Sequence, residues 1–306
     1  MTNVRTEKDE DIVTYMKRQA QRIDQALSGC LDGMEIPPRL KEAMLYSLMA
    51  GGKRLRPLLV LAAAEAVGGD DEDAMPVACA VEMIHTYSLI HDDLPAMDDD
   101  DYRRGQLTNH KVYGEAMAIL AGDALLTHAF QWIAGQGPRS GRVSADVLLK
   151  VCGELARYAG PAGMVGGQVL DLMGEQGVTT LEELERIHTH KTGDLIVFSL
   201  RAGGWIGGGN AGQIGALDQF GRKLGLAFQI QDDILDLVGD EKKLGKKAGR
   251  DIRKEKVTYP SLLGLDRCRE LVESLSREAK DALASGGIPK PDRLLAIADV
   301  LMVRDH

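Results

Sequence analysis

The chain has 306 residues, 44% of them hydrophobic, with a formal net charge of −9 and 4% aromatic residues. That balance excludes general nucleic-acid binding, which needs a basic face and stacking platforms, and the length suffices to bury one large core without a spacer segment. Residues 1–10 are polar, no uninterrupted apolar run approaches the roughly 18 residues that span a bilayer, and Cys30, Cys79, Cys152 and Cys268 lack paired metal-ligand spacing. A cytoplasmic chain with free thiols and no membrane insertion is therefore expected.

Ile12, Tyr15, Met16, Gln19, Ile23 and Leu27 recur at helical spacing and predict an amphipathic helix over 11–28. Pro37-Pro38 opens a second helix over 39–49, which Gly51-Gly52 stops. The stretch Gly51-Gly52-Lys53-Arg54-Leu55-Arg56-Pro57 is either a solvated loop or an anion site, since glycines let backbone amides approach a phosphate while Lys and Arg supply charge. Apolar periodicity predicts a helix over 74–93. On it His85 and Asp92 share a face with Ser88 between them, and Tyr87 lies roughly 7.5 Å below Asp92 along the axis.

Asp92, Asp93, Asp98, Asp99, Asp100 and Asp101 put six carboxylates within ten residues, directly before Tyr102-Arg103-Arg104-Gly105. Each like-charge pair about 4 Å apart costs roughly 4 kcal/mol at an effective dielectric near 20, so an ordered version of this loop requires cations. Neutralisation by the neighbouring arginines is one solution. A phosphate-plus-metal site is the other, because Mg²⁺ favours one or two carboxylates together with substrate phosphates, and Arg takes the remaining oxygens.

Residues 115–133 are small and apolar all round, the pattern of a helix buried on most sides. A loop over 135–141 separates it from helices over 143–158 and 163–171, the latter with Gln168 and Asp171 as neighbours. Thr180 caps a helix that runs to about Ala202; Thr192 and Gly193 weaken it and predict a local distortion that exposes the Lys191 carbonyl. His188 and His190 face different sides, which disfavours a shared metal. The glycines over 203–212 predict a turn and, with no strand before them, no dinucleotide fingerprint.

A helix over 214–238 carries the second acidic cluster, Asp232-Asp233-Ile234-Leu235-Asp236, with Asp232 and Asp236 on one face and Gln229 one turn earlier. Carboxylates at a helix C-terminus oppose its dipole, which favours cation binding over surface decoration. The basic loop over 242–251, followed by Lys256, is either solvated charge or a lid over an anion. Residues 261–306 predict amphipathic helices around a loop at 286–289, and Arg304-Asp305-His306 could extend charge toward the same site. With no strand-like alternation of useful length, the fold class is all-α. Two Asp-rich clusters, three Lys/Arg groups and no Ser/His/Asp or Cys/His nucleophile pair indicate metal-assisted diphosphate chemistry without a covalent enzyme intermediate.

Six segments, in this order, carry a resemblance that covers nearly the whole chain: Gly-Gly-Lys-Arg-Leu-Arg-Pro at 51–57, Ser-Leu-Ile-His-Asp-Asp-Leu-Pro-Ala-Met-Asp-Asp-Asp-Asp-Tyr-Arg-Arg-Gly at 88–105, Leu-Ala-Gly-Asp-Ala-Leu-Leu at 120–126, His-Lys-Thr-Gly at 190–193, Gly-Leu-Ala-Phe-Gln-Ile-Gln-Asp-Asp-Ile-Leu-Asp at 225–236 and Lys-Val-Thr-Tyr-Pro at 256–260. The sequence resembles the trans-isoprenyl diphosphate synthases, most closely the bacterial farnesyl diphosphate synthases. The resemblance implies a single synthetase domain over 1–306, a helical bundle around a central cavity, and a homodimer.

It also implies Mg²⁺, three ions per site with Mn²⁺ able to substitute, held by Asp92, Asp98 and Asp232 with Asp93 and Asp236 in support. Arg103, Lys191, Lys246 and Lys256 would bind the allylic diphosphate of dimethylallyl or geranyl diphosphate, and Lys53, Arg56, His85 and Arg104 would hold isopentenyl diphosphate. Thr192, Gln229 and the Lys191 carbonyl would stabilise an allylic carbocation. Tyr87, with Ser88, would floor the cavity and set chain length, which implies a C15 product. A geranylgeranyl synthase, a class I terpene cyclase and a non-catalytic synthase subunit are the alternatives. The second cluster fits a cyclase poorly, and no expected ligand is missing as it would be in a non-catalytic subunit.

Overall fold

A computed structural model describes residues 10–136, 141–174, 180–238 and 257–303. Asp11 starts the first helix, α1 (Ile12–Ser28), by accepting the Val13 and Thr14 amides at 3.1 Å. Helix α2 (Pro38–Leu48) has proline at its first position, and α3 (Leu55–Ala66) is buried on nearly every side. Asp70 caps α4 (Asp71–Asp92), whose first turn carries Asp71, Glu72 and Asp73 in agreement with its dipole.

A hairpin follows, β1 (Tyr102–Arg103) paired antiparallel with β2 (Gln106–Leu107), and then the short α5 (Asn109–Tyr113). Helices α6 (Glu115–Gln136), α7 (Ala145–Ala159) and α8 (Met164–Gly174) come next. Helix α9 (Leu181–His188) opens on a capping box between Thr180 and Glu183, then widens into a π-helical turn at Thr189–Gly193 before α10 (Asp194–Ile206). The longest helix is α11 (Ala211–Val238); α12 (Tyr259–Leu263), α13 (Leu265–Ser285) and α14 (Asp292–Val303) complete the described chain.

The bundle is built outward from α3. It packs on α4 and α10, α4 packs on α6, and α10 on α11, which lies along α13. Gly203 explains the closeness of α3 and α10: a Cβ there would lie 2.1 Å from the Val60 carbonyl oxygen. This overturns the turn expected over 203–212, because Gly203 and Gly204 are helical and serve interhelical contact, and the chain turns only after Ile206. Gly225 likewise lets α11 approach the π turn, with a Cβ position 3.2 Å from the Gly193 Cα.

Two further expectations are corrected. The hairpin at 102–107 was not visible as a strand pattern, because each strand is two residues long and exists to turn the chain. Helix α6 is not buried on most sides in the single chain: Ala118, Ala121, Leu125, Ala129 and Ile133 face the core, whereas Ile119 and Leu120 are about half exposed. It is the one described helix long and apolar enough by composition to cross a membrane, and it lies within the bundle against α4.

Candidate active site

The first acidic cluster is shaped by its own backbone. After α4 the chain folds back on the helix end, with Leu94 N donating to His91 O (3.2 Å), Asp98 N to Asp92 O (2.8 Å) and Asp100 N to Asp93 O (3.3 Å). These bonds satisfy the last carbonyls of α4 and bring Asp98 into the field of Asp92. Burial, reinforced by Asp98 and Asp93 and only partly offset by Lys191 and Arg103, pushes the Asp92 carboxyl up to about 6.

Asp93 is committed locally. The Arg103 guanidinium grips it through Nε at 2.8 and 2.9 Å and through Nη2 at 2.6 Å, and its side chain is 5% exposed. The hairpin explains how adjacent arginines serve different places. Arg104 and Gly105 both have positive φ, at 53° and 77°, so the strand reverses and Arg104 reaches the opposite way, donating through Nη1 to the Gly51 carbonyl. Gly52 sits at φ 121°, where other residues are strained, and a Cβ there would lie 2.5 Å from the Arg104 Cζ and push that guanidinium aside.

That contact joins the hairpin to the basic turn before α3. Lys53 is exposed, and Arg54, in the left-handed region at φ 46°, turns inward, so that alternate residues face opposite ways. The Arg54 side chain is buried and donates to Asp24 on α1 (2.8 Å), Glu82 on α4 (2.7 Å) and the Leu48 carbonyl ending α2 (2.8 Å). Arg56 Nη1 lies 3.4 Å from His85 Nε2, and its own Nε is buried with no hydrogen-bond partner. Burial, together with the guanidinium charges of Arg56, Arg104, Arg103 and Arg54, holds His85 well below the usual imidazole range, so it is neutral. A guanidinium with an orphaned nitrogen beside a neutral imidazole fits a bound anion.

The π turn lies where the sequence predicted a distortion, and it carries Lys191, Thr192 and Gly193. Lys191 Nζ donates to Asp171 Oδ2 at 2.6 Å, so the Gln168–Asp171 face of α8 supplies its partner. His188 and His190 part as expected. His190 Nδ1 lies 2.9 Å from Asp194 Oδ2, whereas His188 stacks on Tyr259 at 5.5 Å with its Nε2 3.5 Å from Asp233 Oδ2.

Asp233 also accepts the Tyr259 amide at 3.0 Å and the Gln229 amide nitrogen at 3.2 Å, which leaves the Gln229 carbonyl oxygen to face elsewhere. Each cluster lies within electrostatic reach of a basic residue from another element: Asp92 feels Lys191 of the π turn, and Arg56 at the start of α3 feels Asp232. Asp236 is buried at 4% exposure. An all-carboxylate donor set, with Asp92 pushed up to about 6 by burial and its acidic neighbours, suits a hard divalent ion such as Mg²⁺. Lys246, Lys256 and residues 304–306 lie outside the described residues.

Tyr87 is 6% exposed, below Asp92 on α4, and packs edge-on against His91 at 5.7 Å. Burial and the nearby Asp92 charge push its hydroxyl up to about 12. Ser88 Oγ donates to the His85 carbonyl at 2.9 Å. Sequence reasoning missed the Arg54–Glu82–Asp24 junction, although a Glu in the otherwise apolar middle of α4 was a visible signal. It also missed the role of Asp233, for which the sequence carries no such signal.

The chain is a prenyltransferase: residues 37–284 match the polyprenyl synthetase family, and the chain belongs to it. Among its relatives, the farnesyl diphosphate synthase of Geobacillus stearothermophilus is 50% identical across 95% of this chain and 97% of its own. A chloroplastic geranylgeranyl pyrophosphate synthase of Catharanthus roseus is 49% identical across 97% of this chain and 82% of its own. In structure, the apo FPP/GFPP synthase of Zymomonas mobilis superposes with a TM-score of 0.83 at 39% identity, covering 95% of this chain and 99% of that one.

Proposed function

We propose that this chain is a cytoplasmic farnesyl diphosphate synthase, acting as a single domain, which condenses isopentenyl diphosphate with dimethylallyl and then geranyl diphosphate. The observation that supports the reading is that each acidic cluster has a basic residue of another element in its field, Lys191 for Asp92 and Arg56 for Asp232, with a buried Tyr87 on the helix below Asp92. Four cysteines without a disulfide suit the cytoplasm.

In this reading Asp92, Asp98 and Asp232, supported by Asp93 and Asp236, would hold Mg²⁺, and the bound ion would draw charge from the allylic leaving group. Arg103 and Lys191 exchange their present partners, Asp93 and Asp171, for diphosphate oxygens, joined by Lys246 and Lys256 from beyond the described residues. Lys53, Arg56, neutral His85 and Arg104 bind isopentenyl diphosphate, and Arg56 brings an Nε that has no partner of its own. The C–O bond of the allylic substrate breaks and diphosphate departs with the electron pair. Thr192, the Gln229 oxygen and the Lys191 carbonyl face the cation with fixed dipoles. The isopentenyl double bond then attacks, and the released diphosphate takes the proton that restores a double bond.

The Tyr87 ring beneath Asp92 supports a C15 limit, although relatives of both product lengths are nearly equally similar. Incubating the chain with Mg²⁺, dimethylallyl diphosphate and labelled isopentenyl diphosphate tests both levels. Farnesyl diphosphate is expected, with longer products from Tyr87→Ala. A C20 product from the unaltered chain would overturn the length assignment, and unchanged length in Tyr87→Ala would remove Tyr87 as its cause.

A further inference from the structure

The last residues of the acidic loop have no task in this mechanism. Asp99 and Asp101 are exposed, yet one oxygen of each lies within 4.8 Å of the other and of a ring nitrogen of His110 at the start of α5. Exposed carboxylates alone would signify nothing, but His110 is 6% exposed and its Nε2 has no hydrogen-bond partner. A buried, unpaired imidazole nitrogen is costly unless something binds it.

Thr108 settles which nitrogen is available. Its single hydroxyl proton goes to the Asp100 carbonyl at 2.8 Å, because a carbonyl can only accept. At 3.2 Å from His110 Nδ1, the same oxygen must therefore accept the Nδ1 proton. The neutral ring is fixed as the Nδ1–H tautomer with a bare lone pair on Nε2, the arrangement second-shell oxygens impose on metal-ligating histidines. Lys111 Nζ takes Asp101 Oδ1 at 2.6 Å and leaves Oδ2 for a ligand. Asp99 adopts φ 50°, a left-handed conformation that Asp tolerates better than most residues.

We propose that Asp99, Asp101 and His110 form a second cation site, for a first-row divalent ion such as Zn²⁺ or Mn²⁺, separate from the diphosphate-binding clusters. One imidazole with two carboxylates selects these ions over Mg²⁺, which prefers oxygen throughout. With three protein ligands the ion keeps water in its remaining positions. Asn109, beside His110, is anchored on α2 through the Ala43 carbonyl and Ser47 Oγ, both at 2.8 Å. The ion thus ties the acidic loop to a fixed point and steadies Asp98 and the Arg103–Arg104 hairpin without touching substrate.

The test is Co²⁺ binding to tag-free protein in excess Mg²⁺ with no diphosphate present, followed by visible absorption and titrated with Zn²⁺. One equivalent of Co²⁺ is expected, displaced by Zn²⁺, accompanied by a rise in Tm, lost in His110→Gln and Asp99→Asn, and kept in Asp232→Asn. Asp99 is exposed, so its variant reports even if the His110 variant fails to fold. No bound Co²⁺, binding that survives Asp99→Asn, or binding lost in Asp232→Asn would overturn the proposal, the last by assigning the ion to the diphosphate clusters.

Discussion

At the end of α4, Asp92 titrates at about 6 in the folded chain, against 3.8 for an ordinary Asp. The folded state holds this proton more tightly than the unfolded one, so stability falls as pH rises from about 4 through 6, and above 6 the full cost applies. About two units correspond to roughly 3 kcal/mol at most. Asp92→Asn is therefore expected to raise the Tm of the metal-free protein at pH 7.5 and to give no gain at pH 3.5, as thermal unfolding at the two values would show. A variant no more stable than the parent at pH 7.5 would contradict it. Carboxylates crowded into one loop and one helix end were legible as a demand for cations, and the resemblance narrowed the proposed ligands to Asp92, Asp98 and Asp232. The pairing of Asp93 with Arg103 was not, since it depends on a hairpin two residues long in each strand.

Among the elements, four helices meet at Arg54, which links α1, α2 and α4 to the start of α3. Removing the charge of one buried partner strands the other, at a cost of about 3–5 kcal/mol. Glu82→Gln should lower Tm and, because Lys53 and Arg56 flank Arg54, raise KM for isopentenyl diphosphate more than KM for the allylic substrate; equal changes in both would deny the junction its positioning role. Helix positions were legible from apolar period and caps, as in α1 and α11. The π turn was foreseeable because Thr192 and Gly193 weaken a helix without ending it. The reading failed at Gly203, where a glycine between packed helices looks in sequence like a breaker, and only the Val60 carbonyl opposite explains it.

For the whole molecule, apolar side chains stand exposed on neighbouring helices α6 to α8: Ile119 and Leu120, Leu149 at 74%, then Val165, Val169 and Met173. Exposed apolar side chains of this kind are what a second copy would cover in the homodimer that the resemblance implies. Sedimentation should show a dimer that Leu149→Glu weakens, and a monomeric parent chain would refute this. The apolar pattern of α6 predicts burial on most sides, which the single chain does not give it, since Ile119 and Leu120 stand about half exposed. Whether two acidic clusters far apart in sequence act as one site can be measured by a double-mutant cycle with Asp92→Asn and Asp232→Asn. The readout is Mg²⁺-dependent calorimetric binding of an allylic diphosphate analogue that cannot ionise. Each single variant should lose most of the Mg²⁺-dependent affinity and the double variant little more. Additive losses, or normal binding by Asp232→Asn, would mean that the clusters do not share a diphosphate.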